Sequence, residues 1–150
     1  MNNIYTQPVF IVVDDEPLIS KTIRMLLERN LKCKVLEYND PAEAFAAFQE
    51  QMNSITMVIT DYFMPHFNGV ELCHKIRQLN PDVLLLMISA YGAIGQVQNG
   101  AALEGIDAFV AKPFRMEALL ALVLKLIKDV KGPSDHSNQF VQQFSSMHNS

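Results

Sequence analysis

Val9-Phe10-Ile11-Val12-Val13-Asp14-Asp15-Glu16-Pro17 is the stretch from which the rest of the chain can be read. Its first five residues are all β-branched or aromatic, with no polar interruption. A strand of that kind is covered on both faces, which places it inside a parallel sheet. Two carboxylates stand where the strand ends. Pro17 then sits where a helix can begin, because its fixed φ and missing N–H suit the first helical turn. Ile19, Ile23, Leu26 and Leu27 follow at helical spacing and form a single apolar stripe.

The same unit recurs outward from this start. Cys33 to Tyr38 reads as a short second strand. Asp40-Pro41 is an N-cap followed by proline at the first helical position, and Ala44, Phe45 and Phe48 supply that helix's inner face. Ile55 to Thr60 is another buried strand, ending at Asp61. Asn68 opens a third helix, with Val70, Cys73, Ile76 and Leu79 expected to face inward. Asn80-Pro81-Asp82 turns the chain into a strand from Val83 to Ser89. A weak helical segment follows, containing Gly95 and Asn99-Gly100. Then come a short strand, Asp107 to Val110, and a last helix from Arg115 to about Val130. Five alternations of strand and helix imply parallel strands, right-handed crossovers and helices on both faces. The expected fold is a doubly wound α/β domain over residues 1–131. After Lys131 the composition turns to Gly-Pro-Ser and polar residues, so 132–150 reads as a tail or the start of a linker, despite Phe140, Val141, Phe144 and Met147 at near-helical spacing.

Composition narrows the functions. In 150 residues, 49% are hydrophobic and 19% charged, which suits one folded domain and excludes a disordered chain. Twelve Lys and Arg against sixteen Asp and Glu give a net charge of −4, with no basic stripe, so direct nucleic-acid binding is not expected. The first basic residue is Lys21, so no secretory signal is expected. The apolar run Val83 to Ile88 is far short of the ~20 residues of a membrane span. Cys33 and Cys73 make no disulfide framework. His66, His74, His136 and His148 lack zinc-ligand spacing. The expectation is a cytoplasmic protein without membrane contact.

In an open parallel sheet, chemistry collects at the carboxyl ends of the strands. Those ends carry Asp14 and Asp15 after the first strand, Asp61 after the third, Ser89 after the fourth and Lys112 after the fifth. Three carboxylates on one rim repel and raise one another's pKa unless a cation joins them. Hard oxygen ligands of this kind suit Mg²⁺, which keeps several waters and accepts a phosphate oxygen. Taken singly, Asp14 and Asp15 read as a turn or N-cap, Asp61 as a solvated strand end, and Ser89 as a small strand-end residue.

Together the motifs Val12-Val13-Asp14-Asp15-Glu16-Pro17, Asp61-Tyr62-Phe63-Met64-Pro65 with Asn68-Gly69, Ser89-Ala90 and Lys112-Pro113-Phe114 resemble the receiver domain of two-component response regulators. The resemblance runs from about Val9 to Val130. It implies a five-stranded flavodoxin-like sheet in the order 2-1-3-4-5 and a switch that accepts a phosphoryl group from a histidine kinase or phosphotransfer protein. It implies Asp61 as the acceptor, and Mg²⁺ held by Asp15, Asp61 and the Phe63 backbone carbonyl, with Asp14 acting mainly through water. Lys112 would pair with Asp61 at rest and with a phosphoryl oxygen afterwards, and Ser89 would donate to another. It also implies a cis peptide at Lys112-Pro113 and Phe109 as the switch aromatic that fills the space Ser89 leaves.

Other readings follow from particular residues. A hydrolase with an Asp nucleophile usually carries a second Asp two residues later, and here that position is Phe63, which cannot move a proton. A binding module of the same fold that works without phosphorylation is the alternative function. Phe63 and Tyr91 are expected to crowd the site and slow attack by water on an acyl phosphate. Met116, Leu120, Val123 and Ile127 are expected to cover the sheet, leaving Leu122 and Leu126 as a face for a homodimer through the last helix.

Overall fold

The computed structural model describes residues 7–90 and 104–131. In chain order the first compact unit contains β1 (Val9–Val13), α1 (Pro17–Asn30), β2 (Lys34–Tyr38), α2 (Pro41–Glu50), β3 (Ile55–Asp61), α3 (Gly69–Leu79), β4 (Leu84–Ala90) and β5 (Ala108–Lys112). A second unit begins at Phe114 and holds a C-terminal helix, Met116–Lys131. The segment carrying Tyr91, Gly95 and Asn99-Gly100 lies outside the described residues, as does the tail after Lys131.

All five strands are parallel, in the order β2-β1-β3-β4-β5. Side chains alternate across a strand, so successive residues of β1 serve opposite faces. Ile11 and Val13 join Val58, Leu85 and Met87 in a core closed by Ala44 and Phe48 of α2 and Val70, Leu72, Cys73 and Ile76 of α3. Phe10, Val12, Met57, Ile59, Leu86 and Ile88 are also buried, and their parity puts them on the opposite face, where α1 runs along β1 and β2. This is the expected doubly wound fold, with the expected strand order.

Local chemistry places the helices. The Asp40 side chain accepts from the Ala42 N–H at 2.8 Å, with Pro41 next in line. Asn68 accepts from the Glu71 N–H at 2.9 Å. Glu16, before Pro17, makes no side-chain cap bond. Two expectations need correction. Leu79 is 39% exposed and Leu72 takes the inward place, because the buried arc of α3 is centred on Leu72, Cys73 and Ile76. On the C-terminal helix the buried residues are Leu119, Leu120, Val123 and Leu124, on two adjacent ridges, while Met116 and Ile127 are only half-buried.

At the end of the sheet away from the acidic rim, Arg77 of α3 acts as a clamp. Its guanidinium donates to the carbonyls of Val83 at 2.6 Å, Pro81 at 2.8 Å and Gly105 at 2.6 Å, and pairs with Asp107 at 3.1 Å. Asp107 in turn accepts from the Leu85 N–H at 2.8 Å. The approaches to β4 and β5 are thus tied to α3.

Candidate functional site

The sheet order brings the ends of β1, β3, β4 and β5 side by side, and with them the charged residues. Asp14 follows the last residue of β1 and is 1% exposed. One of its carboxylate oxygens accepts from the Glu16 N–H at 2.9 Å, and the other meets the Lys112 Nζ at 3.0 Å. The Lys112 ammonium also lies 3.4 Å from Asp61 and 3.6 Å from Glu16. Lys112 therefore bridges the ends of β1 and β3 rather than pairing with Asp61 alone, and its shortest contact is to Asp14. The Lys112-Pro113 peptide is cis, as the resemblance implied.

Asp61, the last residue of β3, is 6% exposed and accepts from the Tyr62 N–H at 2.9 Å. Burial, followed by the charge of Asp14, pushes its pKa up from 3.8 to about 6, against Lys112 and the Tyr62 N–H. Burial also raises the Asp14 pKa, against the Glu16 N–H and Lys112. For Lys112, burial opposes the charge, but Asp14 and Asp61 outweigh it and hold its pKa above the ordinary lysine value. One ammonium is thus short of offsetting the carboxylates around it. Even so, Asp61 is mostly ionised at neutral pH.

Asp15 is exposed, and its carboxylate converges with those of Asp14 and Glu16, with ligand oxygens all within 4.8 Å of one another. These are hard oxygen donors with excess negative charge, which fits a magnesium ion. Glu16 was not singled out in the sequence, although a third consecutive acid was there to be read. Asp61 joins this group through Lys112.

Ser89 sits near the end of β4, 1% exposed. Its Oγ is the one buried side-chain polar atom among the described residues that has no hydrogen-bond partner. A buried hydroxyl left unpaired costs free energy unless something arrives to accept it. Phe109 pairs in register with Met87 and is half-buried against the core on the α2–α3 side.

The loop from β3 to α3 is fixed from several directions. The Gly69 N–H donates to the Tyr62 carbonyl at 2.8 Å, and any Cβ at Gly69 would run into the Asp61 carbonyl oxygen. Only glycine fits so close to the end of β3. Phe67 receives the Lys75 ammonium at 5.6 Å from its ring centre, and Phe45 receives it at 5.5 Å. His66 takes φ 75° and stands 3.5 Å from Asp40. Phe63 is 58% exposed, its ring edge-on to Tyr62 at 4.5 Å.

The fold and the rim define a doubly wound α/β module with acids, a hydroxyl and a lysine at the carboxyl ends of its strands. The family model that matches is the response regulator receiver domain, over residues 10–124. The chain belongs to that family, whose members are phosphorylation-controlled modules of two-component signalling. It is 31% identical over 123 residues to the probable transcriptional regulatory protein TcrX of Mycobacterium tuberculosis, covering 81% of this chain and 51% of that protein. It is 27% identical over 137 residues to the response regulator MprA of Mycobacterium leprae, covering 91% of this chain and 58% of that protein. The chain thus spans little more than half the length of these relatives. Among solved structures, the response regulator TrrA of Thermotoga maritima, determined with Mg²⁺ and beryllium fluoride, superposes with a TM-score of 0.71 at 26% identity, covering 80% of this chain and 99% of that one. A CheY-like receiver domain protein of Methanospirillum hungatei JF-1 gives a TM-score of 0.75 at 22% identity over 84% of this chain and 98% of that one. No helix among the described residues is long and apolar enough to cross a membrane.

Proposed function

We propose that this chain is a cytoplasmic signalling switch that takes a phosphoryl group onto Asp61 from a sensor histidine kinase or a phosphotransfer protein, and that it does not turn over external substrates. The observation that carries this reading is the Lys112 ammonium held 3.0 Å from Asp14 and 3.4 Å from Asp61, together with the unpaired Ser89 hydroxyl near the end of β4. The Asp61 carboxylate oxygen attacks the phosphorus of a phosphohistidine; the O–P bond forms as the N–P bond breaks, and the imidazole leaves. In-line transfer of this kind needs positioning and spread positive charge more than covalent help. Lys112 supplies one positive charge and moves from the Asp61 carboxylate to a phosphoryl oxygen. The Ser89 hydroxyl donates to another, gaining the acceptor it lacks at rest. Phe109 follows by turning into the space vacated.

Asp14, Asp15, Asp61 and the Phe63 carbonyl would hold Mg²⁺, with Glu16 at the edge of the same group. Held there, the ion would offset the repulsion among these carboxylates and supply further positive charge for the transfer. Leu122 and Leu126, half-buried on the C-terminal helix, are the face for self-association, which sedimentation with and without a phosphate analogue would reveal.

The test is intact-protein mass after incubation with Mg²⁺ and acetyl phosphate, beside Asp61→Asn. A gain of one phosphoryl group in the wild type alone is expected. A folded wild type that gains none would replace the switch with the phosphorylation-independent binding module.

A further inference from the structure

Behind the acidic rim, a line of polar side chains runs from Arg24 on α1 to the backbone of Asp14. The last backbone rung between β1 and β2 is the Asp14 N–H donating to the Tyr38 carbonyl at 3.2 Å. Beyond it the chain turns toward α2, and the Asn39 side chain takes over. Its Nδ2 donates to the Asp14 carbonyl at 2.8 Å and to the Ser20 Oγ at 2.9 Å. Ser20, 0% exposed, has two acceptors for its own hydrogen, Glu37 Oε2 at 2.9 Å and the Pro17 carbonyl at 3.1 Å. Glu37 Oε1 accepts from Arg24 Nε at 2.8 Å. The direction at Asn39 is forced. A backbone carbonyl and a carboxylate can only accept, so Asn39 must present its NH₂ group and Ser20 must both accept and donate.

We propose that Asn39 and Ser20 are positioning residues of the cation site, fixing the end of β1 so that the Asp14 carboxylate faces the rim. This rests on the reading of that rim as a Mg²⁺ site. Asp14 spends its side chain on Lys112 and the Glu16 N–H, so what holds its backbone decides where its free lone pairs point. The Asn39 amide supplies a donor on the β2 side after the backbone ladder ends. Ser20 fixes the plane of that amide, and the Arg24–Glu37 pair fixes Ser20. Groups behind a metal ligand that orient it typically change metal affinity by about 10–100-fold when removed.

The experiment titrates MgCl₂ into the full chain by calorimetry at constant ionic strength, with urea unfolding measured separately in the absence of Mg²⁺. Wild type and Asp14→Asn come first, and a wild type that binds no Mg²⁺ removes the site and this proposal with it. Given binding, Ser20→Ala, Asn39→Ala and Asn39→Leu (which keeps the volume but not the donors) are expected to raise the Kd about tenfold or more. Asn80→Ala, which removes a 3.1 Å bond to the Met52 carbonyl and a 2.8 Å bond from the Asp82 N–H at the far end of the sheet, is expected to lower stability without moving the Kd. A merely structural line would behave like Asn80→Ala. If Asn39→Ala fails to fold, Ser20→Ala, which loses one oxygen, decides. Folded Ser20 and Asn39 variants with wild-type Kd overturn the proposal.

Discussion

Replacing Asp61 with asparagine should make the metal-free protein more stable at neutral pH while removing its phosphoryl acceptor. The carboxyl is buried beside Asp14, and its folded-state pKa is raised from 3.8 to about 6. Between those values the folded state binds the proton that the unfolded state has released. The stability tied to this proton is therefore fully present below pH 3.8 and is lost as pH rises through about 6. The gap corresponds to a ceiling of about 3 kcal/mol at roughly 1.4 kcal/mol per pH unit. Asparagine keeps the shape, drops the charge and leaves Lys112 paired with Asp14. At roughly 4 °C per kcal/mol for a domain of this size, the Asn variant should melt up to about 12 °C above wild type at pH 7.5 without Mg²⁺. The difference should vanish near pH 4. Mg²⁺ should raise the wild-type melting point and move the variant much less. Calorimetric or fluorescence-monitored melting at several pH values reads all three. An Asn variant no more stable than wild type at pH 7.5, or one with the same advantage at pH 4 and 7.5, would refute the reasoning.

Ser89→Ala removes a buried hydroxyl without a partner, so it should leave urea stability unchanged or improved, by up to about 1 kcal/mol, while blunting any phosphate-analogue-induced change in the NMR spectrum around β4. Gly69→Ala drives a Cβ into the Asp61 carbonyl and should cost several kcal/mol, read as a lowered urea midpoint and slowed phosphorylation. Arg77→Ala frees the carbonyls of Val83, Pro81 and Gly105 and strands Asp107; a loss of about 1–3 kcal/mol with faster amide exchange at Leu85 is expected. Phe63→Asn should speed loss of the phosphoryl group, measured by intact mass over time. An unchanged rate would remove Phe63 as a barrier to water.

What the sequence determined by itself was the alternation and its punctuation. The β-branched run Val9–Val13, the Asp40-Pro41 cap and the Asn68 cap are local signals, since each states a backbone preference within a few residues. Asp14, Asp15, Asp61, Ser89 and Lys112 could be grouped from the sequence because each lies at or beside the carboxyl end of a strand, and the carboxyl ends of a parallel sheet share one rim. Tertiary structure decided what depends on separation across the chain. Which carboxylate Lys112 approaches most closely, Asp14 over Asp61, is decided by how the Lys112 side chain reaches from β5 past β4 to the ends of β3 and β1. The exchange of Leu79 for Leu72, and of Met116 and Ile127 for Leu119 and Leu124, reflects helix rotation of a fraction of a turn, which apolar spacing alone leaves free. Ser20, Glu37 and Asn39 carry no motif, because a serine on α1 and an asparagine after β2 acquire a shared role only when the fold brings the Asn39 amide between the Asp14 carbonyl and the Ser20 hydroxyl. In the sequence Gly69 appeared only as part of the Asn68-Gly69 motif on which the resemblance rests. Only the fold showed that its missing Cβ makes room for the Asp61 backbone, a contact between residues that belong to different elements.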